Sequence, residues 1–462
     1  MKNIFFLLLA AGCACLCATA EKPNIVLLFS DDAGYADFGF QGSDNFITPH
    51  LDKLADEGVL LTQFYVSGST CGPSRAGMLT GRYQQRFGFE ENNVPGIMSE
   101  NGKQMGEEMG LPLDVPTMGN YLQDLGYKTA IFGKWHMGEA DRYNPIHRGF
   151  DVFYGFRGGA RSFFPYKKPP NRGRMMERGF GEFEEHEGYL TDVLADETCT
   201  FIEENKNRPF FAYVSFNAVH TPMEPDPNDA DTFPQFEGNR RKVAQMALSM
   251  DRACGKIVAK LDELGLRENT LVIFTNDNGG PTDSNASSNY PLAGTKGTQL
   301  EGGIRVPGIV SWPGILPEGI SYEHPMITLD FLPTFIKLGG GDPAAIGGLD
   351  GEDMLPYLKG ENKERPHQTL YWKMETRGAI RDGDWKLMRF PDRPAHLFDL
   401  SKDPGEQNNL AAENPELVAE LYKKLFEWEL GLQRPLFLLR RQEEGWSSRR
   451  FDEFREPPSK EF

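Results

Sequence analysis

Three uninterrupted apolar runs of strand length constrain this chain most: Asn24–Ser30, Phe210–Phe216 and Thr270–Thr275. A strand with one wetted face alternates polar and apolar residues. An unbroken run therefore marks a strand covered on both faces, as in the middle of a parallel sheet. Helix patterns lie between the runs. Pro49–Gly58 puts Leu51, Leu54 and Ala55 on one face, with Gly58 as the stop, and Val115–Gly126 and Arg240–Leu264 are further helix patterns. Strands alternating with helices predict an α/β fold, a large, mostly parallel sheet sandwiched by helices.

In such sheets ligands sit beyond the carboxyl ends of the strands. Asp31 and Asp32 directly follow the first run, Asn217 and His220 the second, and Asn276, Asp277 and Asn278 the third. Three strands thus deliver polar groups to one edge. Asp31, Asp32, Asp277 and Asn278 are hard oxygen ligands of the kind that hold Ca2+ or Mg2+, and no His/Cys set of zinc type accompanies them. An acidic pair at a strand end is by itself equally suited to capping a helix or closing a turn.

The formal charge of −18 disfavours nucleic acid and anionic membranes as partners, so an anion site here must be locally basic or metal-bearing. Residues 1–20 read as a secretory signal: one early Lys, a short apolar run and Ala18-Thr19-Ala20 before Glu21. The run is too short to span a bilayer comfortably, which predicts a secreted or periplasmic protein without a membrane span. Cys13 follows Ala-Ala-Gly as a candidate lipid acceptor, although Leu9 stands four places before it instead of three. Roughly 440 residues remain, enough for one large domain and a smaller one. Of their cysteines, Cys199 and Cys254 either pair or are two buried thiols, and spacing does not decide between them.

The third cysteine lies in Ser67–Arg82, within Cys71-Gly-Pro-Ser-Arg75. Downstream come Gly133-Lys-Trp-His136, Val219-His-Thr-Pro222, Thr275-Asn-Asp-Asn278 and Gly294-Thr-Lys296. In that order, from about residue 22 to about residue 425, these islands resemble the type I sulfatases of the alkaline phosphatase superfamily. The resemblance implies that a maturation enzyme oxidises Cys71 to formylglycine, with Pro73, Ser74, Arg75 and Ala76 matching the pattern it reads. The hydrate of that aldehyde would attack sulfur, as an oxygen nucleophile in place of a thiolate. Lys134 and Lys296 would bind sulfate. His136 would take a proton from the hydrate, His220 would protonate the leaving oxygen, and Arg75 would hold the hydrate or a metal-ligand carboxylate. The modified residue 71 would join Asp31, Asp32, Asp277 and Asn278 around a divalent ion, Ca2+ ahead of Mg2+ because Mg2+ prefers to keep its waters. Asp37 is expected to order its loop.

The resemblance further implies a catalytic domain over 21–365 and a C-terminal α+β subdomain and tail over 366–462. Ala379–Arg381, Trp385–Met388 and Leu397–Leu400 resemble a small antiparallel sheet with one packed helix, Pro415–Leu430. Residues 155–190 read as a long insertion on the rim of the cleft, 280–300 as loop, and Gln433–Phe462 as a tail without clear structure. Arg148–Pro165 looks like sulfatases acting on sulfated galactose or N-acetylgalactosamine, and the implied substrate is a sulfated oligo- or polysaccharide such as carrageenan. Arg157, Arg161 and His186 are candidates for gripping it, or else ordinary loop charges. Two other functions fit the same islands, a phosphate or phosphonate monoester hydrolase of the same superfamily and a non-catalytic sulfated-glycan binding protein.

Overall fold

A computed structural model of the chain describes residues 22–94, 98, 100–438 and 446–459. The signal segment and Cys13 lie outside the described residues. The three apolar runs form the centre of a ten-stranded sheet, with Asn24–Ser30 flanked by Phe210–Ser215 and Thr270–Asn276. Both pairings are parallel, and Leu27 stands between Tyr213 and Ile273. Lys128–Lys134 and Val152–Phe156 continue the parallel order on one side. On the other side Gly308–Ser311 runs antiparallel to Thr270–Asn276.

Successive side chains of a strand enter opposite faces. Ile25, Leu27 and Phe29 accordingly join one core, with Ala76, Met118 and Phe331 from three helices. Val26 and Leu28 join a second core, with Leu51, Leu194 and Met246 from Pro49–Asp56, Leu190–Glu204 and Gly238–Glu263. The central strands are covered on both faces, as their composition requires. Cys199 and Cys254 are separate buried thiols.

The four-stranded antiparallel sheet comprises Thr369–Met374, Arg377–Asp382, Trp385–Arg389 and His396–Asp399 in chain order. Leu421 and Leu425 of the helix Pro415–Glu429 pack on Ile380, Leu387 and Leu397. The buried Lys386 ammonium, 2.8 Å from Glu301 and 2.9 Å from Glu406, ties this sheet to the short helix that follows Lys296.

Two regions differ from the reading of the sequence. Glu177–Arg178 and Glu182–Phe183 add antiparallel edge strands to Val152–Phe156, so residues 155–190 partly extend the sheet. Strands of two residues are too short to show a period. The tail is not structureless, because Trp446–Glu453 is helical. Phe451 lies 4.6 Å from the Phe390 ring, and Arg450 bonds Asp283 at 2.6 Å. A helix this short is marginal alone and depends on such contacts.

Glu375 caps the first hairpin of the small sheet at φ +56°. Its N–H donates to Glu90 (2.8 Å), while one of its own carboxylate oxygens is buried without a partner. Burial, then the neighbouring Glu91, push its carboxyl from 4.5 up to about 8. The folded state therefore holds this proton more tightly than the unfolded state. That stabilisation is complete below pH 4.5 and is lost as pH rises through about 8. Glu375→Gln is expected to raise the thermal midpoint over wild type at pH 9 and to leave it unchanged near pH 4; melts that shift equally at both pH values would exclude this account.

Candidate active site

Cys71 is the first residue of a fully buried helix, Cys71–Thr80. The helix begins at the cysteine itself, so Gly72 and Pro73 occupy its first turn, where the missing N–H of proline costs no hydrogen bond. The Gly72 N–H donates to Asn92 Oδ1 at 2.7 Å. The open N–H groups at such an end favour anions.

Around Cys71 the three strand ends converge. Its Sγ lies 3.7 Å from Asp31 Oδ1 and 2.9 Å from Lys296 Nζ. Lys134 Nζ is 2.6 Å from Asp31, and Lys296 Nζ is 2.6 Å from Asp32. Arg75 Nε donates to Asp277 at 3.0 Å and its Nη1 to Ser215 Oγ at 2.5 Å, with the guanidinium over the Phe29 ring. Arg75 thus holds a carboxylate. Removing one partner of a buried pair leaves the other uncompensated, so Arg75→Met is expected to cost about 3–5 kcal/mol in urea unfolding; a loss under about 1 kcal/mol would contradict this.

Three carboxylates (Asp31, Asp32, Asp277) face three cations (Lys134, Lys296, Arg75) in this cluster. Burial, and then Asp277, raise the Asp31 carboxyl against the pull of Lys134. Burial acts the same way on Asp32, but Lys296, His220 and Lys134 outweigh it and hold Asp32 below the usual carboxylate range. Burial pushes the Cys71 thiol up to about 12 despite both lysines, so at neutral pH it is a neutral thiol.

Ligand atoms of Asp31, Asp32, Cys71 and His220 lie within 4.8 Å of one another, a group able to hold a metal ion. Asn278 strengthens that reading. Its Nδ2 donates to Asp32 at 2.8 Å, yet its buried Oδ1 has no partner. A buried carbonyl oxygen without a donor needs a reason, and a cation supplies one. With the Asn278 carbonyl the donor set is mixed, three oxygens beside the Cys71 sulfur and the His220 nitrogen.

His220 Nδ1 bonds the Thr221 carbonyl at 2.7 Å, so Nδ1 carries the hydrogen and Nε2, 3.4 Å from Asp32, is the atom at which a proton is gained or lost. Burial lowers the His220 pKa, opposed by Asp32 and Asp31. Burial, with Lys134 and Arg75, lowers that of His136 far more, and both its ring nitrogens are buried without partners. Asp32 and His136 both adopt positive φ, +63° and +59°. Such strain persists only where the surroundings enforce it.

Cys71, His136, His220 and Lys296 open into a cavity of about 340 Å3, whose lining also includes Asn92, Glu139, Asn171 and Arg174. The 155–190 region contributes Gly159, where a Cβ would sit 2.7 Å from His136 Nε2, so a side chain at this position would force the imidazole to shift. Arg157, Arg161 and His186 do not line this cavity. Arg157 is spent on Glu177 and Asp141, Arg161 bonds Glu185, and His186 is buried. Asp37 binds the N–H groups of Gly34 and Ser288, together with Arg240, and orders its loop. Sequence reasoning missed Asn92, Glu139, Asn171 and Arg174: no apolar run or motif directly precedes Asn92, Asn171 or Arg174, and Glu139, three residues beyond His136, falls just past the end of its island. Asn171 and Arg174 do fall in the segment read as a rim.

The sulfatase family profile matches residues 23–341, and that of the N-sulphoglucosamine sulphohydrolase C-terminal region matches 295–430. Arylsulfatase A of Homo sapiens is 34% identical over 477 residues, covering 90% of this chain and 88% of the relative. N-acetylgalactosamine-6-sulfatase of Mus musculus is 35% identical over 400 residues, covering 82% and 73%. Among solved structures, Ps i-CgsB superposes with a TM-score of 0.84 at 34% identity, over 93% of this chain and 97% of that one; it is also known in complex with k-i-k-neocarrahexaose, with the same measures of similarity.

Proposed function

The chain belongs to the sulfatase family, and from that premise we propose that it removes sulfate from a sulfated galactan, of which carrageenan is the model, using Cys71 converted to formylglycine and a bound Ca2+. That it is a sulfuric ester hydrolase follows from the family. The observation carrying the rest is Cys71 at a buried helix start, with Lys296 Nζ at 2.9 Å and Asp31 at 3.7 Å, on the floor of a cavity. A thiol pushed up to about 12 is a poor nucleophile, which supports conversion to an oxygen nucleophile. The carbohydrate rests on the neocarrahexaose bound by Ps i-CgsB and on the relative that acts on N-acetylgalactosamine 6-sulfate.

Asp31, Asp32, Asp277, Asn278 and residue 71 would hold the cation, which when bound polarises sulfate oxygens. Three carboxylates offset three cations in this cluster, so a divalent ion leaves an excess of two positive charges for a monoanionic sulfate ester. Lys134 and Lys296 hold the sulfate oxygens and neutralise charge as it builds up. Arg75 fixes Asp277. His220 delivers a proton from Nε2 to the departing sugar oxygen. His136, kept neutral by burial, accepts a proton from the hydroxyl on residue 71. The N-terminal segment supports export to the periplasm or outside the cell, and no helix among the described residues is long and apolar enough to cross a membrane. A formylglycine-generating enzyme of the host is the implied partner.

The test compares the purified protein on an aryl sulfate, an aryl phosphate and carrageenan oligosaccharides, with the mass of the Cys71 peptide measured alongside. Sulfate release from the oligosaccharides and a rate on aryl sulfate at least tenfold above aryl phosphate are expected. Preference for the phosphate would favour a phosphate or phosphonate monoester hydrolase. Binding without release by fully converted protein would favour a glycan-binding protein.

A further inference from the structure

A second cavity of about 670 Å3 adjoins the first, and Asn93 and Glu139 line both. Met109, Ala140, Arg142 and Arg172 are among its other walls. Its charges are already paired. Asp141 accepts from both Arg157 and Arg172, and Arg142 bonds Glu108 at 2.7 Å. Lys296, His220 and Cys71 belong to the first cavity alone. Glu139 is the exception at the junction. Its carboxylate lies so close to the loop that a Cβ on Gly173 would meet it at 2.4 Å. Burial raises its carboxyl, opposed by Arg174 and then Arg157.

Resting on the sulfatase reading above, we infer that the second cavity holds an uncharged sugar ring next to the ring that loses sulfate, with Glu139 at the boundary between the two. A sulfate there would meet cations already bound to carboxylates, and the charge of Glu139 would oppose it. A neutral ring instead finds both donors and acceptors, with the apolar surface of Met109 and Ala140 beside them. Sites of a few hundred Å3 that combine apolar walls with a few polar groups are of the kind that takes small ligands.

The experiment measures kcat/KM for three substrates: a sulfated galactose monosaccharide, an oligosaccharide whose neighbouring ring is unsulfated, and one whose neighbouring ring is sulfated. Wild type is expected to favour the second at least tenfold over both others. Ala140→Trp, which pushes an indole into the second cavity, is expected to cut that advantage below twofold. Glu139→Gln keeps the shape, removes the charge and is expected to raise relative activity on the neighbour-sulfated chain at least threefold. Wild-type values within twofold for all three substrates overturn the inference, as does an advantage that survives Ala140→Trp in a folded protein. If no substrate releases sulfate, the proposed reaction fails separately, and calorimetric affinities for the same three sugars read the cavity by the same order.

Discussion

Cys71→Ala is expected to abolish sulfate release, with a fall in kcat of at least about 10^4-fold, equivalent to about 5 kcal/mol of transition-state stabilisation. The replacement removes one buried atom, Sγ, and with it the only place on this residue where a nucleophilic oxygen can be installed. The fold does not depend on that atom, since the hydrogen bond at the helix start comes from the Gly72 N–H to Asn92. Thermal stability should therefore change little while activity disappears. Cys71→Ser separates the modification from simple oxygen chemistry. Serine offers one hydroxyl, which can attack sulfur but cannot afterwards expel sulfate by collapsing to an aldehyde. In a host that converts only cysteine, a single slow turnover is expected in place of steady release. Full activity in either variant would refute the proposed nucleophile.

Removal of the divalent ion is the second large effect. Stripping with a chelator is expected to cost at least about 10^3-fold in kcat/KM, restored by Ca2+, since Lewis-acid stabilisation of this kind is worth several kcal/mol. Asp32→Ala should behave like the stripped protein even with Ca2+ present. Asp32 partners Lys296 at 2.6 Å, Asn278 at 2.8 Å and His220 at 3.4 Å, so its loss disturbs the cation site and two candidate catalytic groups together. A readout independent of catalysis exists. Ca2+ at a hundredfold excess over its Kd stabilises a folded site by about 2.7 kcal/mol, which should lift the melting midpoint of wild type and leave that of Asp32→Ala unmoved. A chelated protein that keeps full activity and shows no thermal response to Ca2+ would sink the metal site.

The central sheet was legible because burial on both faces forces composition. Every residue of Asn24–Ser30 is buried, and a strand in that position tolerates few polar side chains. The polar cluster was legible for a related reason. Asp31, Asp32, Asp277 and Asn278 stand immediately after such runs, where a polar residue marks the end of the strand. Each residue of this cluster is also tied to one of the sequence islands. The small C-terminal sheet was legible in three of its four strands. The first, Thr369–Met374, escaped although Leu370, Trp372 and Met374 alternate with less buried neighbours.

The cavity residues that escaped carry no period of their own, even where, as with Glu139, an island stands just before them. Glu139, Asn171 and Arg174 reach the cavity on loops, and Arg157, which the sequence leaves as either a candidate ligand or an ordinary loop charge, is held by Glu177 and Asp141. Both outcomes have one source. Whether a charge is available depends on partners brought up by other segments, and no period along the chain records them.

By itself, then, the sequence determined a parallel α/β sheet, the carboxyl edge at which chemistry sits and the residue types gathered there, because solvent exclusion acts residue by residue along each strand. Only the tertiary structure decided which groups meet. Lys134 finds Asp31 across 103 positions and Lys296 finds Cys71 across 225. Contacts over such separations are set by how ten strands align in one sheet, and that alignment is a property of the packed whole.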